Sequence, residues 1–114
     1  MIVSTTFTVP GYEITETLGI ARGNVIRAKH VGTDIIASLR NLVGGEVREY
    51  TKLMGEAREQ AYDRMMAQAQ EMGADAVIGV SFTTSMVMAG SAEILAYGTA
   101  VRLKPGTSAL SAGV

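Results

Sequence analysis

The stretch EVREYTKLMGEAREQAYDRMMAQAQEM, residues 46–72, decides the fold. Val47, Tyr50, Met54, Ala57, Ala61, Met65, Ala69 and Met72 recur every three or four residues, the period of one face of an α-helix. At 1.5 Å per residue this helix is about 40 Å long. That is long for a chain of 114 residues, so part of it is expected to pack on another subunit. Gly73 stands where a left-handed C-cap belongs, and Ala74 and Asp75 begin the exit.

Working back toward the N-terminus, VGGEV at 43–47 fits neither G-x-G-x-x-G nor G-x-x-x-x-G-K-[ST], which leaves only the helix-start amides near Gly45 and Glu46 as an anion candidate. Gly44 and Gly45 instead predict a tight corner, with Glu46 suited to the positive end of the helix dipole. Before the corner, Ile35, Ile36, Leu39, Leu42 and Val43 follow the helical period behind an N-cap at Thr33 or Asp34, which predicts a short helix. Earlier still, Tyr12, Ile14, Leu18 and Ile20 share one parity, the mark of a half-buried strand. Gly23 and Asn24 are turn residues, and the β-prone run 25–30 either folds back as a hairpin or continues the strand past a bulge.

Downstream of the long helix, AVIGVSFTTSMVM at 76–88 alternates as a strand. Ala76, Ile78, Val80, Phe82, Thr84, Met86 and Met88 are expected on its core face. A turn at 89–91 leads into EILAYGTAVRL at 93–103, with Leu95, Tyr97, Thr99, Val101 and Leu103 on one side and Ile94, Ala96, Gly98 and Ala100 on the other. Gly55, Gly79 and Gly98 lie inside regular elements, where glycine weakens the element and permits close approach by a neighbour. The order is ββααββ. It predicts an α+β domain over 1–104, an antiparallel sheet of about four strands with one short and one long helix on one face, followed by a frayed tail at 105–114.

Composition narrows the function classes. Hydrophobic residues make up 47% and charged residues 18%, which gives a globular chain with apolar surface to spare for a subunit interface. Ten basic and eleven acidic residues leave a formal charge of −1, without the basic stripe that nucleic acid or anionic lipid requires. With no cysteine there is no disulfide, thiolate metal site or thiol nucleophile. The N-terminal MIVSTTFTVPGYEI lacks a basic n-region and a long apolar run, and no segment reaches the ~18 apolar residues of a membrane span, so a cytoplasmic protein is expected.

Chemistry-bearing constellations are sparse. A zinc site needs three or four convergent ligands, and His30 is the single histidine. Met65, Met66, Met86 and Met88 could bind a soft ion, but their periods read as core filler. Glu56, Glu59 and Asp63 share a helix face with Lys52, Arg58, Gln60 and Arg64 close by, the mixed pattern of a solvated or interface stripe. No G-x-S-x-G elbow is present, so a hydrolase is not expected.

Gly19 and Gly23, Asp34 with Arg40, GGE at 44–46, Tyr50, AREQA at 57–61, GADAVIGV at 73–80 and GTAV at 98–101 occur in this order and spacing. Together they resemble the YbjQ family of small bacterial proteins, also called UPF0145 and labelled heavy-metal-binding. The resemblance implies a dodecin-like subunit plan, assembly as a ring-shaped homopentamer, and no established reaction or cofactor. Among the matching polar residues, Asp34, Arg40, Glu46, Tyr50 and Arg58 form a candidate inter-subunit cluster. The leading expectation is a non-enzymatic homo-oligomer whose binding surface is made by assembly. The alternatives are a heavy-metal-binding or metal-homeostasis protein, and a small-ligand carrier or enzyme with its site between subunits.

Overall fold

The computed structural model describes residues 1–28, 45–88 and 91–106. Its elements are β1 (Ile2–Val3), β2 (Tyr12–Ala28), α1 (Gly45–Glu71), β3 (Ala76–Met88) and β4 (Ser91–Pro105). The four strands form one sheet in the order β1-β3-β4-β2. β2–β4 and β3–β4 pair antiparallel, but β1 pairs parallel with β3, Ile2 opposite Ala76 and Val3 opposite Val77. The sheet is therefore mixed, not antiparallel as the sequence suggested. The missed strand has two residues, too few for any hydrophobic period to show. The short helix expected over 33–43 lies outside the described residues, as do His30 and Gly44.

The long helix forms where its period placed it. Ala57, Ala61, Met65 and Ala69 are fully buried against the sheet, and Met54 and Met72 flank them. Gly73, with φ 80°, closes the helix. Its N–H donates to the Gln70 carbonyl and that of Ala74 to the Ala69 carbonyl, both at 3.0 Å, the paired bonds of a Schellman cap.

β2 is a single strand of 17 residues, which settles the choice between hairpin and continuation. Gly23 and Asn24 pair with Ala96 and Leu95 without a turn. The glycine is there for the helix. A Cβ on Gly23 would lie 2.3 Å from the Ala61 carbonyl oxygen and 2.4 Å from the Met65 nitrogen, so helix backbone rests directly on strand backbone. The register shifts instead between Ile14 and Glu16 and between Thr17 and Gly19. The two shifts cancel, so Ile14 and Ile20, opposite Leu103 and Thr99, keep one face, the one turned away from α1. Ala21 and Val25 end up beneath α1, while Ile14 and Ile20, expected inside, are exposed.

A similar device splits β3. The register shifts between Ile78 and Ser81, where Gly79 takes φ 61° and its missing Cβ makes room for the Phe7 ring. Val77 and Val80 therefore belong to the core under α1. Ala76 and Ile78 join Val9, Val101, Ile2 and Leu103 in a second cluster. Beyond this point Phe82 and Met86 pair with Ala96 and Ala92 on the helix side of the sheet. The helix covers β2 and β4 and only grazes β3, so Phe82 is 46% and Met86 57% exposed. The expectation that Met86 is core filler is corrected on that ground. Met65 does fill the core.

The two faces of β4 come out as its alternation indicated. Ala92, Ile94, Ala96 and Ala100 lie under the helix, and Val101 and Leu103 belong to the second cluster. Gly98 admits a close neighbour, since a Cβ there would lie 2.7 Å from Val77 Cγ1 and 2.9 Å from the Ile78 carbonyl oxygen. Around Gly55, by contrast, a Cβ would meet only the tip of Arg58 at 3.9 Å, so no close approach explains that glycine among the described residues. β4 runs through Pro105, one residue into the segment expected to fray, and the Gly106 N–H donates to the Gly11 carbonyl at 2.9 Å.

Candidate functional site

α1 runs antiparallel to β2, with residues 61–65 over Gly23 and Met72 beside Gly19. From Gly23 to the end of β2 at Ala28 the strand advances about 16 Å, the rise of roughly 11 helical residues. The described sheet therefore ends opposite about residue 52, and α1 from Gly45 projects some 10 Å past it. The projecting turns hold two of the five residues singled out in the sequence. Glu46 and Tyr50 lie on them four positions apart, and Arg58, exposed, follows two turns later. Asp34 and Arg40 lie outside the described residues. Gly45 is itself the first residue of α1, and the rest of the expected corner lies outside the described residues.

One flank of α1 is tied to the outer edge of β2. The Arg22 N–H donates to Gln68 Oε1 at 2.6 Å, Arg64 Nη1 donates to the Asn24 carbonyl at 2.7 Å, and Arg27 Nη2 donates to Gln60 Oε1. Gln68 and Arg64 satisfy backbone groups that an edge strand otherwise leaves open, and Arg27 and Gln60 join strand to helix by their side chains. The role of these side chains was missed in the sequence, where Gln60 and Arg64 read as part of a solvated or interface stripe and Gln68 was not singled out. Only the spacing of four between Gln60, Arg64 and Gln68 hinted that they act as one row.

The remaining charges are arranged for the fold. Lys104 meets Glu13 at 3.3 Å and Arg102 meets Glu16 at 3.6 Å, both pairs well exposed and so contributing little. Asp75 Oδ2 accepts the Leu103 N–H at 2.9 Å and ties the helix exit to β4. Glu56, Glu59 and Asp63 are exposed, and no group of three or more His, Cys, Asp or Glu among the described residues could hold a metal ion. Met65 at the core and Met86 at the surface do not form one thioether site. No helix among the described residues is long and apolar enough to cross a membrane.

Several large apolar side chains lie uncovered among the described residues. On the helix side of the sheet Phe82 and Met86 are exposed. On the opposite side Ile20, Ile26 and Tyr97 are exposed, with Ile20 at 68% and Ile26 at 58%.

Comparison with known proteins agrees with this picture of a fold without an assigned chemistry. A family model for YbjQ, described as "Putative heavy-metal-binding", matches residues 1–104. A UPF0145 protein of Methanosarcina acetivorans is 62% identical over 103 residues, covering 90% of this chain and 97% of its own. Another from Archaeoglobus fulgidus is 58% identical over 104 residues, covering 91% and 96%. Both organisms are archaea, so the family is not confined to bacteria as expected. A solved structure of a protein of unknown function from the DUF74 family of Pediococcus pentosaceus is similar in fold. Its TM-score is 0.62 at 16% identity, covering 91% of this chain and 98% of that one. With a family model spanning nearly its whole length and relatives this similar, the chain belongs to the YbjQ (UPF0145) family.

Proposed function

We propose that this protein works as a non-enzymatic homo-oligomer in the cytoplasm, a ring of five copies, with its binding surface formed between chains. The observation that carries this reading is the exposure of Phe82, Met86, Ile20, Ile26 and Tyr97 across both faces of one sheet. Burying a large apolar side chain gains about 1.5–3 kcal/mol, so a set of this size favours association. The length of α1 supports it, since its first turns extend past the end of β2. Native mass spectrometry at micromolar concentration is expected to show a homopentamer. A stable monomer there overturns the reading.

The family description favours a second reading, a protein that binds heavy metal ions. Lacking a ligand cluster among the described residues, it requires donors brought together from different copies or from other parts of the chain. Elemental analysis of protein purified without chelators, with calorimetric titration of copper, silver, zinc and manganese, separates the two. The assembly reading expects no stoichiometric metal and no binding heat. A stoichiometric metal that survives dialysis establishes the second.

A further inference from the structure

At 3.6 residues per turn, Arg58 falls within about 20° of both Met65 and Ala69 around the axis of α1. Those two side chains are fully buried against the sheet, yet Arg58 is exposed. The difference lies in what stands beneath. Residues 61–65 cross Gly23, which shares a row across the sheet with Ala96 and Phe82. Arg58 is about 7 Å nearer the helix start, level with the next row on this face, Val25, Ile94 and Thr84. Gln60, Arg64 and Gln68 hold one flank of α1 to the outer edge of β2, so the opposite flank, with Arg58 and Tyr62, turns toward β3. There the strand is open: Phe82, Thr84 and Met86 are all exposed. They keep one parity, since one register shift of β3 precedes Ser81 and the other follows Met86.

Arg58 is the one charge in this trough among the described residues. Its helical neighbours three and four positions away, Met54, Gly55, Ala61 and Tyr62, are neutral, and so is every residue of the facing rows. Glu59, Asp63 and Glu56 lie about 100°, 140° and 160° away around the axis. Arg58 makes no ion pair among the described residues. The half-buried Tyr62 and the exposed Thr84 add hydroxyl groups that no described residue engages.

We infer that this trough binds a small organic carboxylate with an aromatic or branched apolar body, the carboxylate on Arg58 and the body between Phe82 and Met86. Charge complementarity selects the head group. A guanidinium grips a carboxylate through two parallel N–H bonds, and the Thr84 and Tyr62 hydroxyls can donate to the remaining lone pairs. A phosphate dianion would bring a second charge without a second cation to meet it. The body is bounded by length, since Phe82 and Met86 stand about 13 Å apart along the strand, room for one ring or branched chain. The inference goes beyond the assembly reading, because all five side chains belong to one chain.

Phenylacetate is the probe, with benzyl alcohol and acetate as the analogues that lack the charge and the ring. NMR titration of the natural chain is expected to shift signals of Arg58, Tyr62, Phe82, Thr84 and Met86. Phenylacetate is expected to bind about tenfold more tightly than either analogue, the effect of one charge-assisted contact. Arg58→Gln, a change at an exposed position, is expected to leave circular dichroism unchanged and to lower phenylacetate affinity to that of benzyl alcohol. Arg58→Lys is expected to fall between, since an ammonium keeps the charge and loses the fork.

No shift at millimolar phenylacetate, shifts confined to other residues, equal affinity for phenylacetate and benzyl alcohol, or unchanged affinity in Arg58→Gln each overturn the site. Native mass spectra separate this inference from the assembly reading. A monomer that binds phenylacetate through Arg58 overturns assembly and keeps the trough. A homopentamer that binds none keeps assembly and overturns the trough.

Discussion

Replacing Gly23 by alanine is expected to destabilise the domain by about 3 kcal/mol and to lower its melting temperature by roughly 10 °C. The added methyl would lie 2.3 Å from the Ala61 oxygen, 2.4 Å from the Met65 nitrogen and 2.6 Å from Arg64 Cβ. Two of those three atoms are backbone and cannot rotate away. To make room, the helix must lift from the strand, which loosens Ala57, Ala61 and Met65 together and stretches the bonds from Gln68 and Arg64 to β2. A loss of this size is a large share of the ~5–15 kcal/mol that holds a typical domain. Thermal unfolding followed by circular dichroism checks it. Gly55→Ala serves as the comparison: with open space around it, the same methyl should stabilise the helix by up to about 1 kcal/mol.

Met65→Ala is expected to cost a similar amount for the opposite reason, an absence of atoms. Met65 is among the largest fully buried side chains and lies in the cluster with Ala21, Ala61, Ala69 and Ala100. Those neighbours are too short to close a gap. The cavity left behind adds to the lost transfer free energy, and about 3 kcal/mol is the middle of the range for such truncations. Met65→Leu, which nearly conserves volume, should cost less than about 1.5 kcal/mol. Denaturant midpoints for the two variants measure the difference. If both unfold alike, Met65 does not bridge helix and sheet in this way.

The sequence displays those parts of the fold where one period runs unbroken. From residue 46 to residue 72 the helical repeat is continuous and Gly73 ends it, and α1 with its cap stands there. β4 likewise keeps one alternation along its length. β2 and β3 were harder because bulges reset their parity. Ile14 and Ile20 do share a face, as counting by twos placed them, but it is the one turned away from α1, and Leu18, at the second shift, packs on the helix side instead. Counting from Ile78 placed Met86 on the same face, yet a register shift lies between those two. A bulge has no fixed residue signature. Gly79 could have marked one, but glycine also serves close packing, as Gly23 and Gly98 do.

The candidate site was less legible than the fold, for a related reason. Glu46, Tyr50 and Arg58 were selected on one helix, and the structure places them along it. A site made from them needs further groups that are remote in sequence or belong to another chain, and a linear pattern does not encode such convergence. The exposed apolar residues show the same limit. Phe82 and Met86 look like core in one dimension, and only the lateral position of α1 over β2 and β4 reveals that they are not covered.

The union of α1 with β2 has a mechanical consequence. Backbone contact at Gly23, the alanine row and three polar ties make helix and strand bend as one composite beam. The turns from Gly45 to about residue 51 are the cantilevered end of that beam. Small changes of tilt at the clamp, such as a methyl at Gly23 would cause, should be magnified at Gly45, about 27 Å along the helix from that contact.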